Sequence, residues 1–595
     1  MLRWLSVSCL ALLCLCPAPA RAQTGAQVLV VVNEEAPDAV RVAEHYMAAR
    51  QIPDGQVVRL TTARAEEVER LVFEQTIQAP IAQWLSANSA QDRIRYIVLT
   101  RGVPLRIRGT TGRQGTVASV DSELALLYRR MTGAAVPVNG PVPNPFFLGE
   151  DAASAASAFN RADHDIYLVT RLDGFSAEDA MALVDRAAAP AKSGTFLLDA
   201  PSDMTDPRNG WLARAAERLE APGKDLVVVH DTTSRVLQGH EAVIGYFSWG
   251  SNDQTLRRRV PEVKFVPGAL AGMFLSSDAR TFAEPPAQWE PGKANYAGSG
   301  QSLIGDLVRA GVTGVSGVVA EPFTDGAIRP DLLFPAYVHG ATLAEAYYGA
   351  MPYIGWQTIV VGDPLCAPFR TEVLTEEDAA PLDPDTGLPA HFSARRVTAV
   401  MRTTKASEPA VKGLLRAESR FARDDRPGGI DALKEAVAAD AGFLAAWRRL
   451  GLELETAERH AEALEAYRKV VALDRNDIIA LNNLAYGLAV REKQPEEALG
   501  FATRAATLAK GNHTVNDTLG WVHYLLGNHE EALRLIAPAS RALPNSADVQ
   551  FHAAAVFSAV GRLDEAARAL DAAVKLDAAV KDRAEFDEVQ RRLKK

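Results

Sequence analysis

The chain has 595 residues, a formal net charge of −10 and a hydrophobic content of 48%, values that exclude disordered and fibrous proteins. The length exceeds what a single hydrophobic core supports, so we expect two or three domains. The sequence has no stripe of Lys and Arg, which argues against nucleic-acid binding because phosphate contacts need basic side chains on one face.

The N-terminus has the pattern of a secretory signal peptide. Arg3 precedes an apolar run over residues 5–15, and an Ala-x-Ala site ends at residue 22. The pattern predicts that residues 1–22 are a signal peptide that is removed on export. No later segment is apolar enough to span a bilayer. We therefore expect an exported protein, periplasmic or extracellular, with no transmembrane segment in the mature chain.

Three of the four cysteines lie in the predicted signal peptide, so the mature chain keeps only Cys366 and has no intrachain disulfide. Lipid anchoring through Cys14 or Cys16 is an alternative, but Leu13 and Leu15 stand where a lipoprotein signal has small residues. No Cys or His pair has the spacing of a zinc site. We expect no metal and no cofactor.

From residue 27 onward, short β-branched runs alternate with amphipathic stretches. Strands are predicted at residues 28–32, 94–100, 166–170, 195–198, 226–229, 243–248, 314–319 and 358–361, and helices at residues 38–50, 177–189 and 211–219 among others. Continuous apolar strands separated by helices predict a mainly parallel sheet covered on both faces. We assign residues 26–370 to one α/β domain.

An acidic, Pro-rich stretch without periodicity at residues 376–387 predicts a linker over residues 371–411. Asp383 and Asp385 imitate the start of a calcium-binding loop, but Gly387 comes one position early. A solvated turn is the favoured interpretation of these residues.

Helices resume near Leu414, and small residues recur about every 34 positions. These anchors are Ala463, Ala498, Ala532 and Ala566. The spacing, together with Leu450, Gly451 and Tyr467 in one unit, resembles the tetratricopeptide repeat (TPR) family. Each such unit buries its apolar face only against its neighbours, so residues 412–595 are predicted to form an all-α solenoid with a peptide-sized groove.

The TPR resemblance implies that the first helix of each repeat lines the groove and that the guest is a protein partner. The side chains placed by position to face a guest are Arg448, Asn483, Asp517, Trp521 and Tyr524. Asn483 would hydrogen-bond to the guest backbone and Trp521 would stack on an apolar side chain. The alternative is that Trp521 and Tyr524 pack between repeats.

Polar side chains cluster after several predicted strands of the α/β domain. In an open parallel sheet, loops at the carboxyl ends of strands converge on one crevice, where ligands bind. The candidates for a binding pocket there are Arg101, Asp121, Arg171, Asp173, Trp249, Asn252, Asp253, Ser276, Ser277, Glu321 and Asp363. The alternative is that these residues form turns and internal ion pairs.

Six segments resemble an uncharacterised bacterial family of exported proteins whose members often carry C-terminal TPR repeats. These segments are residues 31–33, 96–104, 119–124, 171–174, 250–253 and 361–365. The resemblance implies export and an α/β domain in front of the repeats, but it implies no reaction.

A more distant similarity links residues 245–251, 273–277 and 362–364 to gingipain-type cysteine peptidases of the caspase-like fold. That family places His after one strand and Cys after the next, where this chain has Ser248 or Trp249 and Ser276 or Ser277. The resemblance thus implies a caspase-like scaffold without its catalytic dyad. A serine hydroxyl without an adjacent base is a poor nucleophile.

Two other residues are candidates to replace the dyad. His240 precedes its predicted strand, and Cys366 has no cation beside it in the sequence to lower its thiol pKa. We therefore predict a binding or scaffolding protein and leave its status as an enzyme open. The alternative hypothesis is a hydrolase that uses a pocket formed by Asp253, Ser276 or Ser277, Glu321 and Asp363.

Overall fold

The computed structural model describes residues 24–149, 158–201, 205–219, 225–233, 235–256, 258–260, 262–371 and 381–594. The predicted signal peptide and residues 372–380 of the predicted linker lie outside these ranges. The chain divides into two compact units, residues 1–383 with 388–399 and residues 384–387 with 400–595.

The first unit contains the strands. They are β1 (Val28–Asn33), β2 (Val57–Leu60), β3 (Glu67–Val68), β4 (Tyr96–Thr100), β5 (Arg106–Ile107), β6 (Ala118–Ser119), β7 (Val142–Pro143), β8 (Leu168–Leu172), β9 (Gly194–Asp199), β10 (Leu226–Asp231), β11 (His240–Ser248), β12 (Val263–Met273), β13 (Gly314–Val318), β14 (Tyr353–Ile354) and β15 (Thr358–Gly362). Ten of these form one sheet in the order β10-β9-β11-β12-β13-β15-β8-β4-β1-β2. The short strands form two small sheets, β3-β5-β6 and β14-β7.

The helices of the first unit lie between these strands and after them. They are α1 (Ala39–Arg50), α2 (Arg70–Phe73), α3 (Ala79–Ala87), α4 (Val120–Ala125), α5 (Leu127–Met131), α6 (Ala177–Ala188), α7 (Pro207–Leu219), α8 (Ile304–Ala310), α9 (Pro330–Val338), α10 (Leu343–Gly349) and α11 (Ala390–Thr404). A Cβ on Gly314 would meet Leu343 of α10, and one on Gly317 would meet Ile304 of α8. Because residues three apart in a strand point to opposite faces, helices cover both faces of the sheet.

The predicted α/β class is confirmed, and the strand interiors explain it. Every residue of β1, β4, β8, β13 and β15 is buried, as expected for strands that helices cover on both sides. All neighbours in the large sheet other than β15 pair in parallel with each other. The strands β2 and β12 were not among those predicted.

Strand β15 is the reversed strand of the sheet. It pairs antiparallel with β13 over its whole length, whereas a single bridge of parallel pattern, Val361 to Arg171, joins it to β8. The hydrogen bonds near its first residue show that β15 also runs opposite to β8, because they place that residue at the carboxyl edge of the sheet. Thr358 at its start accepts a hydrogen bond from Ser119 Oγ, and Val120 beside that serine donates to Leu105, just beyond the carboxyl end of β4.

Helix α11 lies inside the stretch predicted as a linker, so part of that stretch is ordered helix. Phe392 is buried, its ring centroid is 5.4 Å from that of Tyr128, and its backbone N–H donates to Asp92. The absence of periodicity before residue 388 does not extend to Phe392, Val397 and the residues after them. An apolar anchor on the α/β unit therefore holds a helix that the acidic composition did not predict.

The second unit is a succession of helices, as the TPR prediction requires. They are α12 (Glu408–Phe421), α13 (Arg426–Ala439), α14 (Leu444–Thr456), α15 (His460–Leu473), α16 (Ile478–Val490), α17 (Pro495–Leu508), α18 (His513–Leu525), α19 (His529–Ala542), α20 (Ala547–Ala559), α21 (Leu563–Leu576) and α22 (Phe586–Leu593). Each of the anchors Ala463, Ala498, Ala532 and Ala566 is fully buried where two helices meet. The all-α solenoid is thus confirmed.

Candidate functional site

A crevice lies at the carboxyl edge of the large sheet. Its volume is about 330 Å³, and its walls come from loops after β1, β2, β4, β8 and β12. The lining includes Asp38, Glu66, Arg101, Asp173 and Phe282. The predicted convergence of strand ends therefore brings Arg101 and Asp173 together in one concavity.

Both predicted residues in this crevice are engaged with each other. Arg101 donates to the Gly174 carbonyl and lies 3.4 Å from Asp173 Oδ1. Burial raises the pKa of the Asp173 carboxyl, and the guanidinium groups of Arg171 and Arg101 oppose that rise. The arrangement holds the loop after β8 in place and leaves Arg101 partly accessible.

Arg171 and Asp121 form an ion pair beneath the crevice, and both side chains are fully buried. Arg171 Nε donates to Asp121 Oδ1 at 3.0 Å, and its other nitrogens donate to the carbonyls of Val103 and Pro104. Burial lowers the pKa of Arg171, but Asp121 and Asp173 together outweigh that effect and the net shift is upward. This pair braces the loop after β4 from inside and does not face a ligand.

A second group of predicted residues surrounds the ends of β11 and β12. Trp249 Nε1 donates to Asn209 Oδ1 at 2.8 Å, and the Arg208 guanidinium lies 4.3 Å from the indole centroid. Asn252 Nδ2 donates to the Phe274 carbonyl at 2.9 Å. The two loops are therefore tied together by the residues that were predicted to bind a ligand.

Ser276 and Ser277 share one partner, Gln301. The Ser276 N–H lies 3.0 Å and the Ser277 Oγ 2.9 Å from Gln301 Oε1, to which both donate. Within the described part of the chain, neither serine hydrogen-bonds to a histidine. Both serines therefore contact an amide oxygen, which accepts hydrogen bonds and does not act as a general base.

Two predicted carboxylates are engaged in local turns. Asp253 Oδ1 accepts from the N–H and the hydroxyl of Thr255, at 2.7 and 2.8 Å. Glu321 is exposed and accepts from the Phe323 N–H at 2.8 Å. Turn formation, the alternative stated for these residues, accounts for both contacts.

Asp363 does not share the carboxyl edge, because β15 runs against the other strands. Tyr46 donates to its Oδ1 at 3.1 Å and Arg50 to its Oδ2 at 2.5 Å. Both residues lie in the second half of α1, and a Cβ on Gly25, just before β1, would meet the Arg50 carbonyl. Asp363 thus lies at the amino edge, where it fixes the end of α1.

His240 and Cys366 are the two residues considered from the sequence as replacements for the dyad of gingipain-type peptidases. His240 is the first residue of β11, about 25 Å from the carboxyl end of that strand at about 3.3 Å per residue. Cys366 is buried, and burial raises the pKa of its thiol to about 12. Each prediction against these residues as catalytic groups is consistent with its position.

Two carboxyl groups with shifted pKa at the carboxyl edge are not among the candidates for the pocket, although the sequence places Asp278 shortly after the apolar run at residues 272–275, as it does two of those candidates. Burial raises the pKa of Asp199 to about 7, and burial also raises that of Asp278 to about 7. Asp278 Oδ1 accepts from the Val318 N–H at 2.8 Å. Only the fold reveals them, since nothing in the local sequence distinguishes a buried aspartate from a turn former.

Two further features are absent from the described ranges. No group of three or more His, Cys, Asp or Glu side chains could hold a metal ion there. In the same ranges, no helix is both long and apolar enough to cross a membrane.

A second cavity, of about 450 Å³, lies among α14, α15 and α16. Leu452 and Ile479 line it and are 42% and 61% exposed. Arg448, a predicted groove residue, lines it too, and its guanidinium is held by Asp474 and Asp477. Exposed apolar side chains beside a fixed charge make this the open part of the predicted groove.

The other four predicted groove residues do not line this cavity. Asn483 donates to Tyr467 Oη at 3.1 Å. Asp517 is buried against His552 Nδ1 at 2.9 Å, and Trp521 stacks between His552 and Tyr524 with centroid distances of 4.1 and 4.7 Å. Trp521 and Tyr524 are both buried, as in the stated alternative.

The molecule's own C-terminal helix contributes to that burial. Phe586 and Val589 of α22 belong to the same apolar cluster as Trp521, Tyr524 and Phe551. Part of α22 is therefore buried in the cluster that contains side chains of α18 and α20. No periodic signal pointed to α22, because it follows the last repeat.

Comparison with known proteins supports the repeat assignment. The sequence profile of the tetratricopeptide repeat family matches residues 444–477, which span α14 and α15. No curated protein matches the sequence. Three solved structures are similar to the helical part: YrrB, described as a TPR protein with an unusual peptide-binding site (19% identity, 31% of this chain and 92% of YrrB, TM-score 0.26), MamA of Desulfovibrio magneticus RS-1 (16%, 29% and 96%, 0.25), and TTC0263, a thermophilic TPR protein of Thermus thermophilus (18%, 30% and 98%, 0.24). The helix pair α14 and α15 thus matches the tetratricopeptide repeat profile.

Proposed function

We propose that this chain is an exported protein-binding or scaffolding protein whose repeats hold a partner polypeptide in the cavity among α14, α15 and α16. The observation that carries the proposal is the pair Leu452 and Ile479, whose exposed apolar surface lines that cavity. Exposed apolar patches on a folded surface favour association with another protein. TPR repeats in general act by binding polypeptides, which supports the same conclusion.

The chemistry of the cavity favours an apolar side chain of the partner. Val470 and Ile478 add to its apolar walls, and the carboxylates of Asp474 and Asp477 lie at the side where Arg448 is held. Because both carboxylates already fix Arg448, the guanidinium is pre-organised rather than mobile. A guest would insert an apolar side chain and place a polar or acidic group near Arg448.

We further infer that the α/β unit is a caspase-like scaffold without its dyad. The neighbouring parallel strands β11 and β12 end at Ser248 and Met273. Trp249 and Ser276 follow these ends, in the region in which gingipain-type peptidases carry His and Cys. The carboxylates named for a hydrolase accept hydrogen bonds within turns or from Arg50, and the Ser277 hydroxyl donates to Gln301. These contacts favour binding over hydrolysis as the role of the whole protein.

A matched pair of full-length variants tests the proposal. Leu452 and Leu508 are each 42% exposed, but only Leu452 lines the cavity. With Leu452→Asp we expect at least a tenfold loss of partner captured from the exported fraction of the native cell, because a carboxylate disfavours an apolar guest. Leu508→Asp, with the same change in charge and exposure, should capture as much partner as the wild type.

The readout is quantitative pull-down, with circular dichroism to verify that each variant is folded. Equal capture by Leu452→Asp and the wild type would contradict the cavity as the binding site. Loss of capture in both variants would show that the effect is one of added charge alone.

A further inference from the structure

The surface beneath α22 continues the open part of the groove. The ninth residue of each successive first helix occupies an equivalent position, and these residues are Leu452, Tyr486, Trp521 and Ala555. Leu452 is 42% exposed, whereas Trp521 is 3% exposed. We call this row the first-helix face. Its apolar surface runs from the open cavity towards the residues that α22 contacts.

Helix α22 makes the contacts of a guest on this face. Phe586 and Val589 are buried in the cluster that contains Trp521, Tyr524 and Phe551, and Leu593 packs against it. Three apolar residues at positions i, i+3 and i+7 form one stripe of an amphipathic helix. The same spacing is what helix-in-groove recognition uses between proteins.

Charged residues frame the apolar stripe at both ends. Arg583, just before the helix, pairs with Asp548 and lies 5.1 Å from the Phe551 centroid. At the other end, Arg592 hydrogen-bonds to Glu588 within α22, and the charges of both side chains act on the buried hydroxyl of Tyr524 in α18. The helix thus packs against α20 and α21 and also lies near the side chains of α18.

The attachment of α22 is slight compared with that of the helices beneath it. Only two of its eight residues are buried, against ten of thirteen in α20. Isolated helices shorter than about 12 residues are marginal in water, so α22 depends on these few contacts to stay helical. Three aromatic side chains lie beneath a weakly held element.

We propose that α22 is an internal occupant of the first-helix face, and that an amphipathic helix of a partner protein displaces it. The partner helix carries an aromatic residue followed by aliphatic residues three and seven positions later, the pattern of Phe586, Val589 and Leu593. This proposal concerns α18 and α20, and it is separable from partner binding at the cavity among α14, α15 and α16.

The test uses full-length variants and a fluorescein-labelled peptide of residues 583–594 as the probe. Val589→Asp places a charge in the buried stripe and should release α22, so the peptide should bind this variant at least tenfold more tightly than the wild type. Arg591→Gln makes the same change in net charge on the exposed side of α22 and should bind the peptide as weakly as the wild type. Fluorescence anisotropy gives each Kd, and a peptide with Asp at all three apolar positions serves as the negative probe.

Hydrogen exchange of the wild type provides a second measurement that needs no variant. The amides of α22 should exchange at least tenfold faster than those of α20. Exchange of α22 as slow as that of α20 would overturn the proposal, as would equal peptide affinity of Val589→Asp and the wild type. A wild-type dimer that Val589→Asp abolishes would also overturn it, because the face would then take α22 from a second copy.

Discussion

Buried carboxyl groups of the α/β unit differ in their partners, and this difference decides what each can do. Asp121 meets Arg171, and Asp363 meets Arg50. Asp278 instead has one backbone donor, and its Oδ2 has no hydrogen-bond partner among the described residues. An unpaired carboxyl in a buried site is disfavoured in its charged form, which is why the pKa of Asp278 rises.

The raised pKa of Asp278 makes a prediction about stability and pH. The pKa is about 7 in the folded protein against an ordinary value of 3.8, so between about pH 4 and pH 7 the folded state holds a proton that the unfolded state has lost. The stability that the protonated Asp278 carboxyl contributes is therefore fully present below about pH 4 and is lost as the pH rises through about 7. We expect Asp278→Asn to be more stable than the wild type at pH 8 by about 1–3 kcal/mol.

Chemical denaturation at pH 5 and pH 8 measures this difference. The variant should show a smaller fall in unfolding free energy between the two pH values, with the remainder due in part to Asp199, whose pKa is also about 7. Asp54→Asn, at an exposed loop position, is the control and should reproduce the wild-type profile. A variant that loses as much stability as the wild type between pH 5 and pH 8 would contradict the assignment.

At the scale of elements, close approach of helices sets the spacing of the repeats. A Cβ on Gly451 of α14 would lie 2.7 Å from a ring carbon of Tyr467 in α15, and Tyr467 is itself buried. Gly500 of α17 is also helical, but a Cβ there would meet nothing within 4 Å. Substitution of these two glycines therefore distinguishes the effect of side-chain packing on stability from the effect of helix propensity, within one solenoid.

These glycines predict opposite effects of the same substitution. Gly451→Ala should destabilise the helical unit by about 1–3 kcal/mol, because the buried ring must move to admit the methyl group. Gly500→Ala should stabilise it by about 0.5–1 kcal/mol, since alanine loses less backbone entropy in a helix. Thermal unfolding followed by circular dichroism at 222 nm compares the two. A similar change in Tm for both variants would refute the packing argument.

At the scale of the whole molecule, we propose that the protein is exported and that it binds its partner after export. An exported chain meets its partner outside the cytoplasm, so the compartment in which capture is attempted matters for the test at Leu452. The sequence predicts that processing follows residue 22 and that the mature chain begins at Gln23.

Mass spectrometry of the protein purified from its native cell tests export directly. We expect the intact mass of residues 23–595, with Gln23 at the N-terminus. A mass that includes residues 1–22 would contradict export by this signal. A mass that begins at Cys14 or Cys16 and includes a lipid would support the anchored alternative.

By itself, the sequence determined the α/β class, most strands and the repeat array. Apolar runs, helical periodicity and a spacing of about 34 residues are local signals in the sequence. Each of them indicates directly which side chains of its strand or helix are buried. It also placed Arg101 and Asp173 at one strand edge, because parallel strands share that edge.

Only the tertiary structure decided the roles of the candidate residues. Asp363 lies at the amino edge of the sheet, and not at the predicted carboxyl edge, because β15 runs opposite to the other strands. The direction of a strand depends on pairing partners that are far away in the chain. Trp521 and Tyr524 proved buried. Trp521 stacks between Tyr524 and His552 of the next repeat, and both belong to one apolar cluster with residues of α22, about 65 positions later. Contacts between distant segments have no periodic signature, and they decide which side chains remain accessible to a partner.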